Sequence, residues 1–143
     1  MSVPVGKRSH SKLEVYVKAV ELATYTCHVC GNENYFPKRD RWILTNKIVE
    51  SAIDIAKNIS MANAIYVSNG IDYELRRKLQ TSALASISSL LTLLDIAYLK
   101  YNLKIQRMEH WVGLVVEVQD LLRAWRNSDL QRFKNLLGEK DED

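Results

Sequence analysis

Apolar residues recur at three- and four-residue intervals along most of this chain, which is the spacing of amphipathic α-helices. The first such run extends from Leu13 to Cys30, and the pair Gly31-Asn32 is expected to end the helix. A second run opens at Pro37, which a first helical turn tolerates, and continues to about Val67. The apolar stripe of this second helix comprises Leu44, Ile48, Ala52, Ile55, Ile59, Ala62 and Tyr66.

The second half of the chain predicts two further long helices. The turn residues 68–70 end helix two, and helix three is expected from about Ile71 to Tyr101. A short break at 102–104 precedes helix four, and a second break at 127–129 precedes a brief terminal helix over 130–137. The core stripe of helix four comprises Ile105, Met108, Trp111, Val112, Val115, Val118, Leu122 and Trp125.

These elements predict an all-α fold of one domain. Only five glycines and two prolines occur in 143 residues, which favours long helices over many short strands. Four helices with short connections imply an antiparallel up-down-up-down four-helix bundle, here with a short C-terminal helix. We expect a flexible basic N-terminal arm over 1–11, the bundle over 12–137 and an acidic disordered tail over 138–143.

Cations crowd the predicted start of helix two. Lys38, Arg39 and Arg41 follow Pro37, although a cation near a helix N-terminus opposes the helix dipole by roughly 0.3–1 kcal/mol. A role other than helix stability is therefore expected for these three side chains. The net charge of +3 includes −3 from the tail 138–143, so the remainder of the chain carries +6.

Antiparallel connectivity gathers the cations of neighbouring helices at the two ends of the bundle. The first basic end is expected to contain Lys38, Arg39, Arg41, Lys100, Lys104 and Arg107. The second basic end is expected to contain Lys12, Lys57, Arg76, Arg77, Lys78, Arg123 and Arg126. Such ends can bind phosphate groups independently of nucleic-acid sequence, or they can be ordinary solvated surface.

Helix three has no charged residue between Leu79 and Leu94, so it is expected to be covered on more than one side. Ser82, Ser86 and Ser89 form a small-residue strip that suits either self-association or tight packing inside the bundle. The many hydroxyl residues in this stretch argue against a membrane span. Because the N-terminus also lacks the apolar region of a secretory signal, a cytoplasmic protein is expected.

Catalytic motifs are absent from the sequence, which contains no glycine-rich phosphate loop, no Ser-His-Asp set and no HExxH motif. We therefore expect neither an enzyme nor a cofactor. Cys27 and Cys30 form a single CxxC, which is more typical of core thiols than of a redox or metal site, because structural zinc needs four ligands. Trp42, Trp111 and Trp125 are expected to anchor the core or an interface rather than to stack on bases.

Three groups of residues within 13–127 carry a resemblance to a known family. They are the helix-two pattern Phe36-Pro37-Lys38, Arg41, Leu44, Ile48, Ala52, Ile59 and Ala62-Asn63, the residues Leu91 and Leu93-Leu94-Asp95-Ile96-Ala97-Tyr98 in helix three, and Glu117-Val118, Leu122 and Trp125 in helix four. With these residues the chain resembles the accessory variability determinant proteins of diversity-generating retroelements. Bundle proteins encoded in ribosomal RNA intervening sequences share the Phe-Pro-Lys opening.

The resemblance implies a non-enzymatic, homopentameric accessory protein that binds reverse transcriptase and template RNA and so supports mutagenic cDNA synthesis. Lys38 and Arg41 match the basic opening of the family's helix two, and Arg123 and Arg126 fall at its often basic helix-four end. The chain departs from the family at Arg123-Ala124, where small glycine-rich residues are common, and in its modest charge. The alternative is an oligomeric protein-interaction module of the intervening-sequence type without a nucleic-acid role.

Overall fold

The computed structural model describes residues 13–138, which form four α-helices and no β-strand. The all-α fold predicted from the sequence is confirmed. The elements are α1 (Glu14–Cys30), α2 (Asn46–Asn63), α3 (Gly70–Tyr101) and α4 (Ile105–Gly138), with a 3₁₀ turn (Lys38–Asp40) and a π-helical segment (Arg41–Thr45) directly before α2. The predicted arm over 1–11 and most of the predicted acidic tail lie outside the described residues.

Each helix packs against its neighbours in the chain, and α1 also packs against α4, so the four helices close into a ring. The bonds between helices show that neighbours run antiparallel, because residue numbers rise along one helix as they fall along the next. These bonds join Lys18 to Glu117, Thr26 to Trp111, Asp40 to Tyr101, Ser51 to Ser89, Arg76 to Asp129, and Thr81 to Arg126. The connectivity is therefore that of an up-down-up-down bundle.

The core lies where the apolar stripes of the four helices meet. Trp111 of α4 is fully buried, and its indole N–H donates to the hydroxyl of Thr26 in α1 at 3.0 Å, so the polar edge of the ring is satisfied. The helix-two stripe from Leu44 to Ala62 is buried, as its spacing predicts. Burying one such aliphatic side chain contributes about 1.5–3 kcal/mol, so these stripes supply most of the driving force for closing the ring.

Helix two differs from the prediction at both ends. The chain from Lys38 to Thr45 is 3₁₀ and then π-helical rather than α-helical, and the N–H of Asn46 bonds to the carbonyl of Arg41, five residues earlier. The helix ends at Asn63, so Tyr66 lies beyond it and is 88% exposed instead of extending the core stripe. The periodicity alone could not locate these ends, because the residues that surround them continue the same spacing.

The brief separate C-terminal helix predicted over 130–137 is wrong. Helix α4 continues without interruption through Asn127-Ser128-Asp129 to Gly138. Turn-forming residues cost a helix only a few tenths of a kcal/mol each, whereas Asp129 is buried and bonded to α3. That tertiary contact outweighs the weak local preference to break the helix.

Helix α3 has well-formed ends and an apolar composition. The side chain of Asn69 accepts from the N–H of Asp72 at 2.9 Å, and Asn102 ends the helix in the left-handed conformation with φ 54°. By length and composition, α3 is apolar enough to cross a membrane, although the core helix of a soluble bundle meets the same criteria. Its buried face packs into the bundle through residues such as Ile87, Leu90 and Leu94.

Candidate nucleic-acid interface

Arg76 is an internal structural residue of the second basic end. Its guanidinium donates to both carboxylate oxygens of Asp129, from Nε at 2.7 Å and from Nη2 at 2.8 Å. The amide of Gln80 donates to the same carboxylate at 2.8 Å, and the guanidinium lies 5.0 Å from the centre of the Trp125 ring. The Arg76 side chain is only 13% exposed, so this cation is committed to holding α3 against α4.

Arg77, Arg123 and Arg126 are placed differently, around a groove on the outer side of α3 and α4. Arg126 donates from Nη2 to the hydroxyl of Thr81 at 2.7 Å, and its Nε is buried without an acceptor. Arg77 makes a long bond of 3.2 Å to the hydroxyl of Tyr73. Arg123 is exposed on α4. The ion pairs found within residues 13–138 include Arg76 but none of these three arginines.

Two neighbouring hollows make up this groove, since Arg77 and Arg126 line both of them. The inner hollow has a volume of about 210 Å³ and also contacts Arg123. The outer hollow has a volume of about 790 Å³ and includes Glu74 and the exposed Lys78 on its rim. The structure thus brings together the predicted residues Arg77, Lys78, Arg123 and Arg126, while Lys12 lies outside the described residues.

At the first basic end, several predicted cations have internal partners. The guanidinium carbon of Arg107 lies 4.1 Å from the centre of the Tyr35 ring, and Nη2 donates to the Tyr35 hydroxyl at 2.8 Å. Lys38 lies 3.7 Å from a carboxylate oxygen of Glu33, both on exposed side chains, so this pair contributes little to stability. Lys100 lies 3.8 Å from the buried carboxylate of Asp40.

Tyr101 shares the Asp40 carboxylate with Lys100, since its hydroxyl donates to Oδ2 at 2.7 Å. Burial, followed by the hydrogen bond and the negative charge of Asp40, raises the pKa of Tyr101 above its usual value. This contact ties the end of α3 to the 3₁₀ turn. Among the exposed cations of the first basic end, Lys38 and Lys100 thus have carboxylate partners, whereas no ion pair within residues 13–138 includes Arg39, Arg41 or Lys104.

Trp42 is the large exposed aromatic residue of this end. Its ring was expected to anchor the core or an interface; within the chain it is 80% exposed, and Ile43 beside it is 65% exposed, so the core role is wrong and the interface role remains a prediction. Trp42 precedes the stripe residue Leu44 by two positions, which places it on the opposite side of a helical turn. That spacing is the signal that could have identified the ring as exposed.

Cys27 and Cys30 line a pocket of about 220 Å³ between α1 and the π-helical segment. Cys27 is exposed and Cys30 is buried, and burial, with a smaller contribution from Cys27, raises the pKa of the Cys30 thiol to about 12. The expectation that both thiols face the core therefore holds only for Cys30. Residues 13–138 contain no cluster of three or more metal-ligating side chains.

The serine strip on α3 that was predicted to mediate self-association is partly exposed to solvent. Ser82 and Ser89 are exposed and Ser86 is half-buried, while the Ser89 hydroxyl lies 3.3 Å from that of Ser51 on α2. Further along α3, Ile96 is 46% and Leu99 is 83% exposed. Within one chain the uncharged stretch is thus covered on one side only, and the role of these serines in self-association remains a prediction.

The fold and these surfaces define a four-helix, all-α protein with exposed guanidinium groups at both ends and an exposed apolar surface on α3 and the π-helical segment. A comparison with models of known protein families finds no matching family, and a comparison with curated proteins finds no matching sequence. The function is therefore argued from the residues themselves.

Proposed function

We propose that this chain is a non-enzymatic accessory protein of a diversity-generating retroelement. It self-associates, as a pentamer if it follows the family it resembles, and binds reverse transcriptase and template RNA in the cytoplasm to support mutagenic cDNA synthesis. The observation that carries the proposal is the presence, at both ends of the bundle, of exposed guanidinium groups for which residues 13–138 supply no carboxylate partner. The sequence resemblance supplies the biological setting, and the polymerase supplies the catalysis.

Binding would depend on phosphate contacts rather than on base recognition. Arg39 and Arg41 offer forked donors at the first basic end, and Arg77 and Arg123 do so at the second. A helix of 20 residues spans about 30 Å, so the two ends can contact phosphates that are several nucleotides apart. Such contacts release counterions and make the affinity fall steeply with salt.

The experiment measures binding of a fluorescent single-stranded RNA over a series of salt concentrations. We expect a variant with Arg39, Arg41, Arg77 and Arg123 all changed to Glu to lose RNA binding at physiological salt while keeping its helical content. Arg76 is left intact because its loss would break the α3–α4 contact. An Arg132→Glu variant, which changes one exposed arginine outside the groove, is the single-site control. Unaltered RNA affinity in the four-site variant would contradict the proposal.

Self-association is tested separately by light scattering. Ser86→Arg places a long charged side chain on the half-buried strip of α3 and is expected to lower the mass in solution without loss of helical content. Ser60→Arg, an exposed site on α2, is the control. An unchanged mass for Ser86→Arg would show that the contact between copies lies elsewhere.

Association with the polymerase is tested by co-purification. The reverse transcriptase encoded beside this gene is expected to be retained by the tagged wild-type protein at physiological salt. If the gene has no such neighbour, or if the neighbouring polymerase is not retained, the retroelement setting is wrong even where RNA binding is observed.

A second candidate function is an oligomeric protein-interaction module without a nucleic-acid role. The exposed apolar side chains Trp42, Ile43 and Leu99 favour it, because large apolar groups left uncovered on a protein surface often mark a contact with another protein. The antiparallel pairing of Asp40 with Tyr101 places Trp42 level with Leu99 along the bundle. This function predicts no RNA retention at physiological salt and a change of assembly in Trp42→Ala.

A further inference from the structure

We propose that the inner hollow between α3 and α4 binds one phosphate group, held by Arg77, Arg123 and Arg126. In a complex with RNA, this group is a backbone phosphate of the strand. The inference rests on the proposed function for its RNA ligand, but the site chemistry is the same for free phosphate. It goes beyond the general basic character of the two ends by naming one location and the residues that form it.

Two adjacent arginines on α3 have different roles. Arg76 is saturated by Asp129, packed on Trp125 and mostly buried. Arg77, the next residue, has one long hydrogen bond and points to the groove instead. Within a single turn of α3, the structure thus separates a cation that stabilises the bundle from a cation that remains available to a ligand.

The electrostatics of the inner hollow favour an anion. Arg77, Arg123 and Arg126 line one hollow of about 210 Å³, and the ion pairs shown for residues 13–138 neutralise none of them. Gathering three like charges is unfavourable unless an anion lies between them.

The arrangement of the three guanidinium groups suits a tetrahedral ligand. Arg123 and Arg126 are one turn apart on α4, and Arg77 faces them from α3. A tetrahedral phosphate can accept hydrogen bonds from both sides, whereas one or two guanidinium forks already satisfy a planar carboxylate. Leu84 and Leu130 line the same hollow, which provides an apolar contact for the sugar next to a backbone phosphate.

The test uses two probes on the full chain: inorganic phosphate, followed by NMR of the arginine Nε–H groups, and a labelled single-stranded RNA, followed by fluorescence anisotropy. The variant is Arg77→Gln with Arg123→Gln, and the matched control is Arg39→Gln with Arg41→Gln at the opposite end. A third variant, Arg126→Lys, keeps the charge but removes the fork. Circular dichroism establishes that each variant remains folded.

In the wild type, we expect phosphate to shift the Nε–H resonances of Arg77, Arg123 and Arg126. In the groove variant, Arg77→Gln with Arg123→Gln, phosphate should leave the resonance of the remaining Arg126 unshifted. RNA affinity should fall roughly 10-fold in that variant. The slope of log affinity against log salt should decrease by about 1.4, because each arginine that no longer meets a phosphate reduces it by about 0.7. Arg126→Lys should weaken both probes, and the Arg39/Arg41 control should leave the phosphate response intact.

The outcomes separate this inference from the proposed function. RNA binding that the groove variant leaves unchanged would overturn the site while the proposed function stands. Phosphate binding at the groove without any RNA binding would support the site and overturn the proposed function. A phosphate response that persists in the groove variant, or that the control abolishes, would overturn the site.

Discussion

Replacing Asp129 by alanine removes the acceptor around which the second basic end is built. The carboxylate is 4% exposed and accepts three hydrogen bonds, two from Arg76 and one from Gln80. Alanine would leave the Arg76 guanidinium, itself only 13% exposed, without a counterion inside the α3–α4 contact. Its bond to the carbonyl of Ile65, at 3.4 Å, is too long to compensate.

The expected decrease in unfolding free energy follows from the loss of one partner in a buried ion pair, which typically costs about 3–5 kcal/mol. For a chain of this size, 1 kcal/mol shifts the melting temperature by roughly 3 °C, so the expected decrease is on the order of 10 °C. Changing both partners, as Arg76→Met with Asp129→Leu, should cost less than Asp129→Ala alone, because no unpaired charge remains buried.

The assay is urea unfolding followed by circular dichroism, at a fixed protein concentration because self-association would add to the apparent stability. Asp120→Ala, which removes an exposed carboxylate from the same helix, is the control and should change the free energy by less than about 0.5 kcal/mol. If Asp129→Ala destabilised the protein no more than Asp120→Ala does, the ion pair would not hold α3 against α4 and the reasoning would be refuted.

Gly70 on α3 and Gly113 on α4 should respond oppositely to substitution by alanine. A Cβ at Gly70 would lie 2.9 Å from the backbone carbonyl oxygen of Leu136, so Gly70→Ala should destabilise the protein, whereas Gly113 has open space and Gly113→Ala should stabilise it by about 0.5–1 kcal/mol in urea unfolding. A thiol reagent at pH 8 should modify Cys27 in the native protein and reach Cys30 only after unfolding, since burial raises the pKa of Cys30 to about 12; equal rates would contradict this placement. Between pH 9.0 and about 12 the unfolded chain releases the Cys30 proton while the folded chain keeps it, so the free energy of unfolding should fall across this window, and less so in Cys30→Ala.

The candidate site could be predicted from the sequence only as far as the order of helices allowed. Antiparallel connectivity correctly brings Arg77 of α3 near Arg123 and Arg126 of α4. The sequence could not distinguish Arg76 from Arg77, because adjacent residues differ by about 100° around a helix. That difference decides which guanidinium meets Asp129 and which faces the groove.

The exposure of Trp42 follows from its place in the apolar pattern rather than from its residue type. The three tryptophans have the same apolar character in the sequence, yet Trp111 is fully buried and Trp42 is 80% exposed. Trp111 lies in the core stripe of α4, whereas Trp42 lies two positions before the buried Leu44 and therefore on the opposite side of the turn. The sequence pattern thus contained the information that separates these two rings.

The sequence by itself determined the number of long helices, most of their core stripes and the collection of cations at two ends. It could do so because apolar periodicity and the shortness of connections are local properties that leave few ways to bury the stripes. The tertiary structure decided that α4 continues through Asn127-Ser128-Asp129, that α2 ends at Asn63, and that Arg76 is internal. The continuity of α4 and the internal position of Arg76 depend on contacts between residues about 50 positions apart, whose free energies exceed the small local preferences that a sequence displays.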